Sequence, residues 1–209
     1  MNDFLWYFGT IVVSYLFGAV PWGLLIGFMY GKDVRLEGSG NIGATNVTRV
    51  VGKTQGRICF VLDFLKGFFP VLIMKILLEY SVAPELPGIL TAAAAMPVVG
   101  HMFPVFIGFR GGKGVSTAAG AVFGMAPPAC LAALAVWVAV FFVWRYVSLA
   151  SIAAAAVVPL AGTLFNLLGV YRLPMSSQIL LWAIGAAAIL RHHANIARLM
   201  NGTENRFSR

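Results

Sequence analysis

The chain has 209 residues, 60 % hydrophobic and 11 % charged, with 15 Lys and Arg against 7 Asp and Glu for a net charge of +8. A water-soluble domain carries roughly 25 % charged and about 45–50 % apolar residues, so this composition, at a mean hydropathy of +0.87, describes a polytopic membrane protein instead. The basic excess, which would suggest nucleic acid in a soluble chain, follows here from the positive-inside rule, and Cys59 and Cys130, both in apolar surroundings, fit neither a disulfide framework nor a Cys-rich zinc site.

The expected elements are all α-helical and form a single membrane domain over 1–209, with seven apolar segments. Residues 4–31 carry no charge, enough for one tilted span. Asp3 stands where the basic start of a signal peptide should be, and the run is too long for one. A polar, glycine-rich stretch from Lys32 to Arg57 leads to a second segment, 58–80, interrupted by Asp63, Lys66 and Lys75. The third is 86–109. Residues 115–144 are uncharged throughout, and Pro127-Pro128 divides them into 115–126 and 128–144. The last two segments are 146–171 and 173–190.

Orientation follows from the cations. With the N-terminus outside, twelve of the fifteen lie on inner connections or the C-terminal tail: Lys32, Arg35, Arg49, Lys53, Arg57, Arg110, Lys113, Arg145, Arg191, Arg198, Arg206 and Arg209. Only Arg172 lies on an outer connection, so the C-terminus is expected in the cytoplasm. The stretches rich in Gly, His and polar residues then all fall at the cytoplasmic ends of their helices. A transporter of small anions should place polar groups near the midplane and on both approaches. One-sided chemistry fits an enzyme working on the inner leaflet.

Gly38-Ser39-Gly40-Asn41-Ile42-Gly43 matches the dinucleotide pattern in spelling only, because no buried strand precedes it. Its glycines can turn backbone N–H groups into a shared anion-binding concavity, to which Ser39, Asn41, Thr45 and Asn46 add neutral donors and Arg49 a charged fork; the bland alternative is a flexible cytoplasmic loop. Gly111-Gly112-Lys113-Gly114 fails as a Walker A motif, since glycine follows the lysine. It leads into a helix expected at Val115, and helix N-termini bind phosphate. Positive-inside anchoring alone would not require its glycines. Arg191-His192-His193-Ala194-Asn195 puts His192 and Asn195 on one helix face, with His193 turned away. No metal-ligand set accompanies these histidines. Asp63 and Lys66, one turn apart, should pair, because intramembrane charges are costly unless neutralised.

Taken in order, Gly38–Asn46, Asp63-Phe-Leu-Lys-Gly67, Gly100-His101-Met-Phe-Pro104, Gly111–Gly114 and His192-x-x-Asn195 resemble the bacterial acyl-phosphate:glycerol-3-phosphate acyltransferases, the PlsY family, over essentially the whole chain. The resemblance implies transfer of a fatty acyl group from acyl phosphate to glycerol 3-phosphate. The products are 1-acyl-glycerol 3-phosphate (lysophosphatidic acid) and phosphate, at the first acylation of phospholipid synthesis in the bacterial inner membrane. It implies no cofactor and no metal. The partners are the two substrates, membrane lipid and the soluble enzyme that makes acyl phosphate, with no nucleic acid. Carried onto this sequence, it places Ser39, Arg49 and Lys113 on substrate phosphate, and Ser151, His192 and Asn195 at the acceptor. Glu204, in Asn201-Gly-Thr-Glu204, matches the family's tail, and Asp63, Lys66 and His101 stand as supporting residues.

Both substrates carry phosphate, which agrees with two glycine-rich anion loops. The His-x4-Asp of soluble acyltransferases is absent, and the only aspartates, Asp3, Asp33 and Asp63, build no Ser-His-Asp arrangement. A lipid phosphatase or phosphotransferase would need metal-binding carboxylates or a histidine nucleophile in acidic company. An acyl phosphate is a mixed anhydride whose leaving group departs as an anion, so proximity, charge neutralisation and modest base assistance suffice. Direct transfer, without an acyl-enzyme, is expected.

Overall fold

The computed structural model describes residues 2–207, so the expected tail cation Arg209 lies outside the described residues. Ten α-helices and one short 3₁₀ turn make up its regular structure, with no strand among the described residues. The chain divides into two compact units, Met1–Gly124 and Met125–Arg209.

The first unit contains α1 (Asp3–Ala19), α2 (Trp22–Met29), α3 (Ala44–Val50), α4 (Lys53–Glu79), α5 (Ile89–Met102) and α6 (Val115–Met125), which ends at the unit boundary. The expected single helix over 4–31 is broken at Val20-Pro21, because proline has no N–H to donate and its ring crowds the preceding turn. The expected second segment starts too late: α4 begins at Lys53, so Lys53 and Arg57 are helical. An apolar window stops at the first charge, whereas a helix continues into the interface. Lys53, Arg57, Asp63, Lys66, Lys75 and Glu79 make α4 less apolar than the other long helices.

α1 and α5 pack closely, and a β-carbon on Gly100 would lie 2.3 Å from the Tyr15 carbonyl oxygen. Small residues of this kind let membrane helices approach through their backbones. Leu24, Ile26, Val34, Ile42, Val47, Val50 and Cys59 form one buried cluster, beneath the glycine-rich first loop. Phe64, Phe68 and Phe123 pack between α4 and α6 with ring centroids 5.9–6.1 Å apart.

The second unit contains α7 (Pro127–Trp144), α8 (Val147–Leu167), α9 (Met175–Leu190) and α10 (His193–Met200), followed by the tail. Pro127 and Pro128 occupy the first turn of α7, where a missing N–H costs nothing. α8 packs against both α7 and α9. The segment expected at 173–190 corresponds to α9, and beyond it the chain turns by 52° into α10, with His192 capping that short helix.

Among the described residues, four helical stretches are long and apolar enough to cross a membrane, 3–29, 89–107, 127–144 and 147–167, with a fifth if α9 and α10 count together. α6, with 11 residues, spans about 16 Å, roughly half the hydrocarbon core. Phe4, Phe8, Phe142, Leu160 and Leu164 are exposed along these helices. Such apolar surface is unfavourable in water and expected against lipid.

Candidate active site

In the first unit, the Gly38–Gly43 loop is built around Asn46. This side chain, 1 % exposed, accepts from the Ser39 backbone N–H at 2.8 Å and donates to the Val34 and Glu37 carbonyls at 2.8 and 3.1 Å. Both amide hydrogens are thereby spent. Asn46, expected to donate to phosphate, holds the loop instead. Gly38 has φ +62°, and a β-carbon there would strike the Asn46 carbonyl oxygen at 2.3 Å. Asn41 Oδ1 accepts from Gly43 N–H at 2.9 Å, which turns the chain into α3. Lys32 Nζ donates to the Val50 carbonyl at the C-terminal end of α3. The results are an exposed Ser39 hydroxyl and an exposed Arg49 on a fixed loop and helix. Beside them Arg35 pairs with Asp33 at 2.6 Å, and its side-chain hydrogen bonds hold the Asp33 carboxyl below its ordinary value.

The second glycine loop returns onto the end of α5. The Gly112 and Gly111 N–H groups donate to the His101 and Met102 carbonyls at 3.1 and 3.2 Å, two of the carbonyls that a helix end leaves without intrahelical donors. Gly111 packs so closely that a β-carbon would lie 2.1 Å from the His101 carbonyl oxygen. Lys113 follows, half-buried, and α6 begins two residues later at Val115, as the sequence indicated. Beneath the loop, Lys66 pairs with Asp63 at 2.9 Å, both 2 % exposed, with His101 Nδ1 at 3.6 Å from the same carboxylate oxygen. Lys66 also donates to the Val20 carbonyl at 2.8 Å, at the α1–α2 break.

In the second unit, Glu204 is a hub. Its Oε1 accepts from Ser148 Oγ at 2.8 Å and Asn195 Nδ2 at 2.7 Å, and its Oε2 from Arg198 Nε at 2.7 Å. Burial pushes its carboxyl up, but these three hydrogen bonds outweigh burial and hold it below the ordinary glutamate value. The tail is fastened further along: Arg206 Nε donates to the Trp144 carbonyl at 3.2 Å and Phe207 N–H to the Arg145 carbonyl at 3.0 Å.

His192, 3 % exposed, sits at the bend with Nδ1 2.7 Å from the Ala188 carbonyl. A carbonyl only accepts, so Nδ1 carries the proton of the neutral ring and Nε2 is the acceptor. His193 is exposed, with Nδ1 3.1 Å from the Leu190 carbonyl. Ser151, expected at the acceptor, accepts from Trp137 Nε1 at 3.2 Å, while Ser148 joins Glu204. Of the two serines in Ser148-Leu-Ala-Ser151, the sequence points to Ser151 for the acceptor, and Ser148 is the one hydrogen-bonded to Glu204. The available signal was their shared face, three residues apart on α8, opposite a single tail carboxylate.

Residues 8–202 match the model for the glycerol-3-phosphate acyltransferase family. The chain belongs to this family. It is 46 % identical to a glycerol-3-phosphate acyltransferase of Trichlorobacter lovleyi over 94 % of this chain and 95 % of that one. The family's Aquifex aeolicus member is 44 % identical, over 94 % and 97 %. The crystal structure of PlsY, an integral membrane glycerol 3-phosphate acyltransferase, in its glycerol 3-phosphate form superposes with a TM-score of 0.85 at 42 % identity. That match covers 97 % of this chain and 96 % of PlsY. Its lysophosphatidic acid form gives 0.82, covering 97 % and 95 %. The protein is thus an integral membrane acyltransferase of this family.

Proposed function

We propose that the chain transfers a fatty acyl group from an acyl phosphate to glycerol 3-phosphate, directly and without an acyl-enzyme. The observation that carries the acceptor is the match along nearly the whole chain to PlsY, which was crystallised in glycerol 3-phosphate and lysophosphatidic acid forms. The acyl phosphate donor rests on the ordered motifs of the sequence and on two glycine-rich loops suited to anions. Ser39, Arg49 and Lys113 neutralise substrate phosphate from the two glycine loops, whose Ser39, Gly43, Gly111 and Gly112 N–H groups are spent within the protein and fix the loops instead of contacting the anion. His192 and Asn195 position the acceptor. Glu204, held by Ser148 and Arg198, fixes Asn195, and Ser151 lines the acceptor from the same face of α8.

In the transfer, the glycerol hydroxyl oxygen bonds to the acyl carbon while the bond from that carbon to the phosphate oxygen breaks. The electron pair leaves with inorganic phosphate. The hydroxyl proton passes to a substrate phosphate, a base whose second pKa is about 6. His192 Nε2 accepts a hydrogen bond from the acceptor. The backing of Nδ1 by a carbonyl, and the commitment of Glu204 to Ser148, Asn195 and Arg198, favour this orienting role over an activated nucleophile.

The membrane arrangement we propose has the N-terminus outside and the glycine loops, α10 and the tail on the cytoplasmic side of the inner membrane. Seven segments cross, α6 as a short one, and the whole chain acts as one catalytic domain. The reading is tested by incubating purified protein with radiolabelled acyl phosphate alone. No label should stay with the protein, and two-substrate kinetics should give intersecting double-reciprocal plots. His192→Ala should be badly impaired while His193→Ala keeps most activity. Label that enters the protein and chases into product would overturn direct transfer.

A further inference from the structure

The Asp63, Lys66 and His101 cluster lies outside the chemistry above, yet it is fully buried. A charge pair held away from water is costly and is weak evidence for stability as such. Its contacts indicate what it does. Lys66 ties together the Asp63 carboxylate and the carbonyl freed at the α1–α2 break. Cys59 Sγ lies 3.6 Å from the other carboxylate oxygen, and His101 Nδ1 3.6 Å from the first. The imidazole is therefore set between α4 and α5, with its far nitrogen toward the second glycine loop. A β-carbon added to Gly112 would meet His101 Nε2 at 2.1 Å and Cε1 at 2.9 Å.

Gly112 itself has no left-handed backbone conformation, unlike Gly114 at φ +82°. Its lack of a side chain is explained by the ring and not by the backbone. The ring packs against Asp63 at one nitrogen and against Gly112 at the other, so a side chain at 112 would force the ring or the loop to shift.

We propose that His101 is a positioning residue for the Gly111–Gly114 loop. With its ring beside Asp63, which Lys66 pairs, it is the surface on which Gly112 rests, and it thereby fixes where Lys113 stands. The role rests on the reading of that loop as a substrate-phosphate site. A group misplaced by about 1 Å can cost on the order of 100-fold in catalysis, so the ring and its glycine should matter without touching substrate.

The test is steady-state kinetics of the full-length protein in detergent, with acyl phosphate and glycerol 3-phosphate each varied. Lys113→Ala, His101→Ala, His101→Gln, Gly112→Ala and the double variant His101→Ala/Gly112→Ala are compared after size exclusion confirms folded protein. Lys113→Ala should raise KM for one of the two substrates. His101→Ala should raise the same KM by about tenfold with a smaller change in kcat, and His101→Gln, whose amide can reach toward the Nε2 position, should recover part of it. Gly112→Ala should raise that KM strongly. In the double variant the alanine at 112 should add little to the loss from His101→Ala, because the ring it would strike is gone. Contacting residues deviate from additivity in this way.

Additive losses, or a His101→Ala defect confined to kcat and thermal stability, would overturn the positioning role while leaving the phosphate-loop reading intact. A Lys113→Ala variant with both KM values unchanged would overturn the phosphate-loop reading, and the positioning role with it. If His101→Ala does not purify as folded protein, Gly112→Ala decides: unchanged KM values overturn the role, and a raised KM for the substrate that Lys113→Ala affects supports it.

Discussion

Glu204 offers the most quantitative test of the second unit. Replacing it by alanine removes the acceptor for Ser148 Oγ and Asn195 Nδ2, both in buried residues, and the partner of Arg198. A buried donor left without its acceptor costs about 1–3 kcal/mol. The Arg198 side chain is 37 % exposed, so its ion pair adds only about 0–1 kcal/mol. Glu204→Ala should therefore cost about 2–7 kcal/mol, and Glu204→Gln less, because the amide oxygen can still serve Ser148 and Asn195 while its NH2 faces Arg198. At about 2–4 °C per kcal/mol for a chain of this size, Tm in detergent should fall by at least about 4 °C for the alanine variant, as read by tryptophan fluorescence. The pH dependence adds a second constraint. A carboxyl held below its unfolded value contributes stability that is fully present above that value and lost as pH falls through the native one. The Tm gap between wild type and Glu204→Ala should thus stay constant from pH 8 to above the ordinary value of 4.5, and narrow only below it. A Tm within about 1 °C of wild type at neutral pH, or a gap that closes between pH 8 and 6, would refute the reasoning.

Two further outcomes are expected. Lys113→Ala and Arg49→Ala should each lower kcat/KM by a few kcal/mol, about the scale of a lost charged transition-state contact, whereas Arg172→Ala should change it little; equal losses in all three would mean that misfolding is being measured. Single cysteines at Ser81 and Asn201, in a background lacking Cys59 and Cys130, should react with an impermeant thiol reagent from opposite sides of the membrane, and labelling of both from outside would refute the proposed orientation.

Some of this architecture is legible in the sequence because local physics dictates it. Asp63 and Lys66 stand one turn apart in an apolar segment, where pairing is the cheapest way to hold two charges, and they are 2.9 Å apart in the structure. Pro127-Pro128 starts a helix where expected. Other features depend on contacts that no window contains. Asn46 reads as a donor to substrate, but its amide is consumed by Val34 and Glu37, across a loop whose path the sequence does not display. Ser148 meets a carboxylate 56 residues away, which chain spacing alone does not reveal. The break at Pro21 is masked by surrounding residues that stay apolar, because apolarity reports environment without reporting backbone continuity. The glycines of the second loop suggested an anion cradle, and the structure adds a steric reason for them in the close return onto His101 and Met102.

The most direct measurement of the central claim is product formation by the detergent-purified chain, without vesicles, from glycerol 3-phosphate and one of three donors presented separately: acyl phosphate, acyl coenzyme A or acyl-carrier protein. Catalysed release of 1-acyl-glycerol 3-phosphate and inorganic phosphate from acyl phosphate, with the two thioesters inert, is the predicted result. Turnover of a thioester with acyl phosphate inert, or no acylation from any of the three, would contradict it.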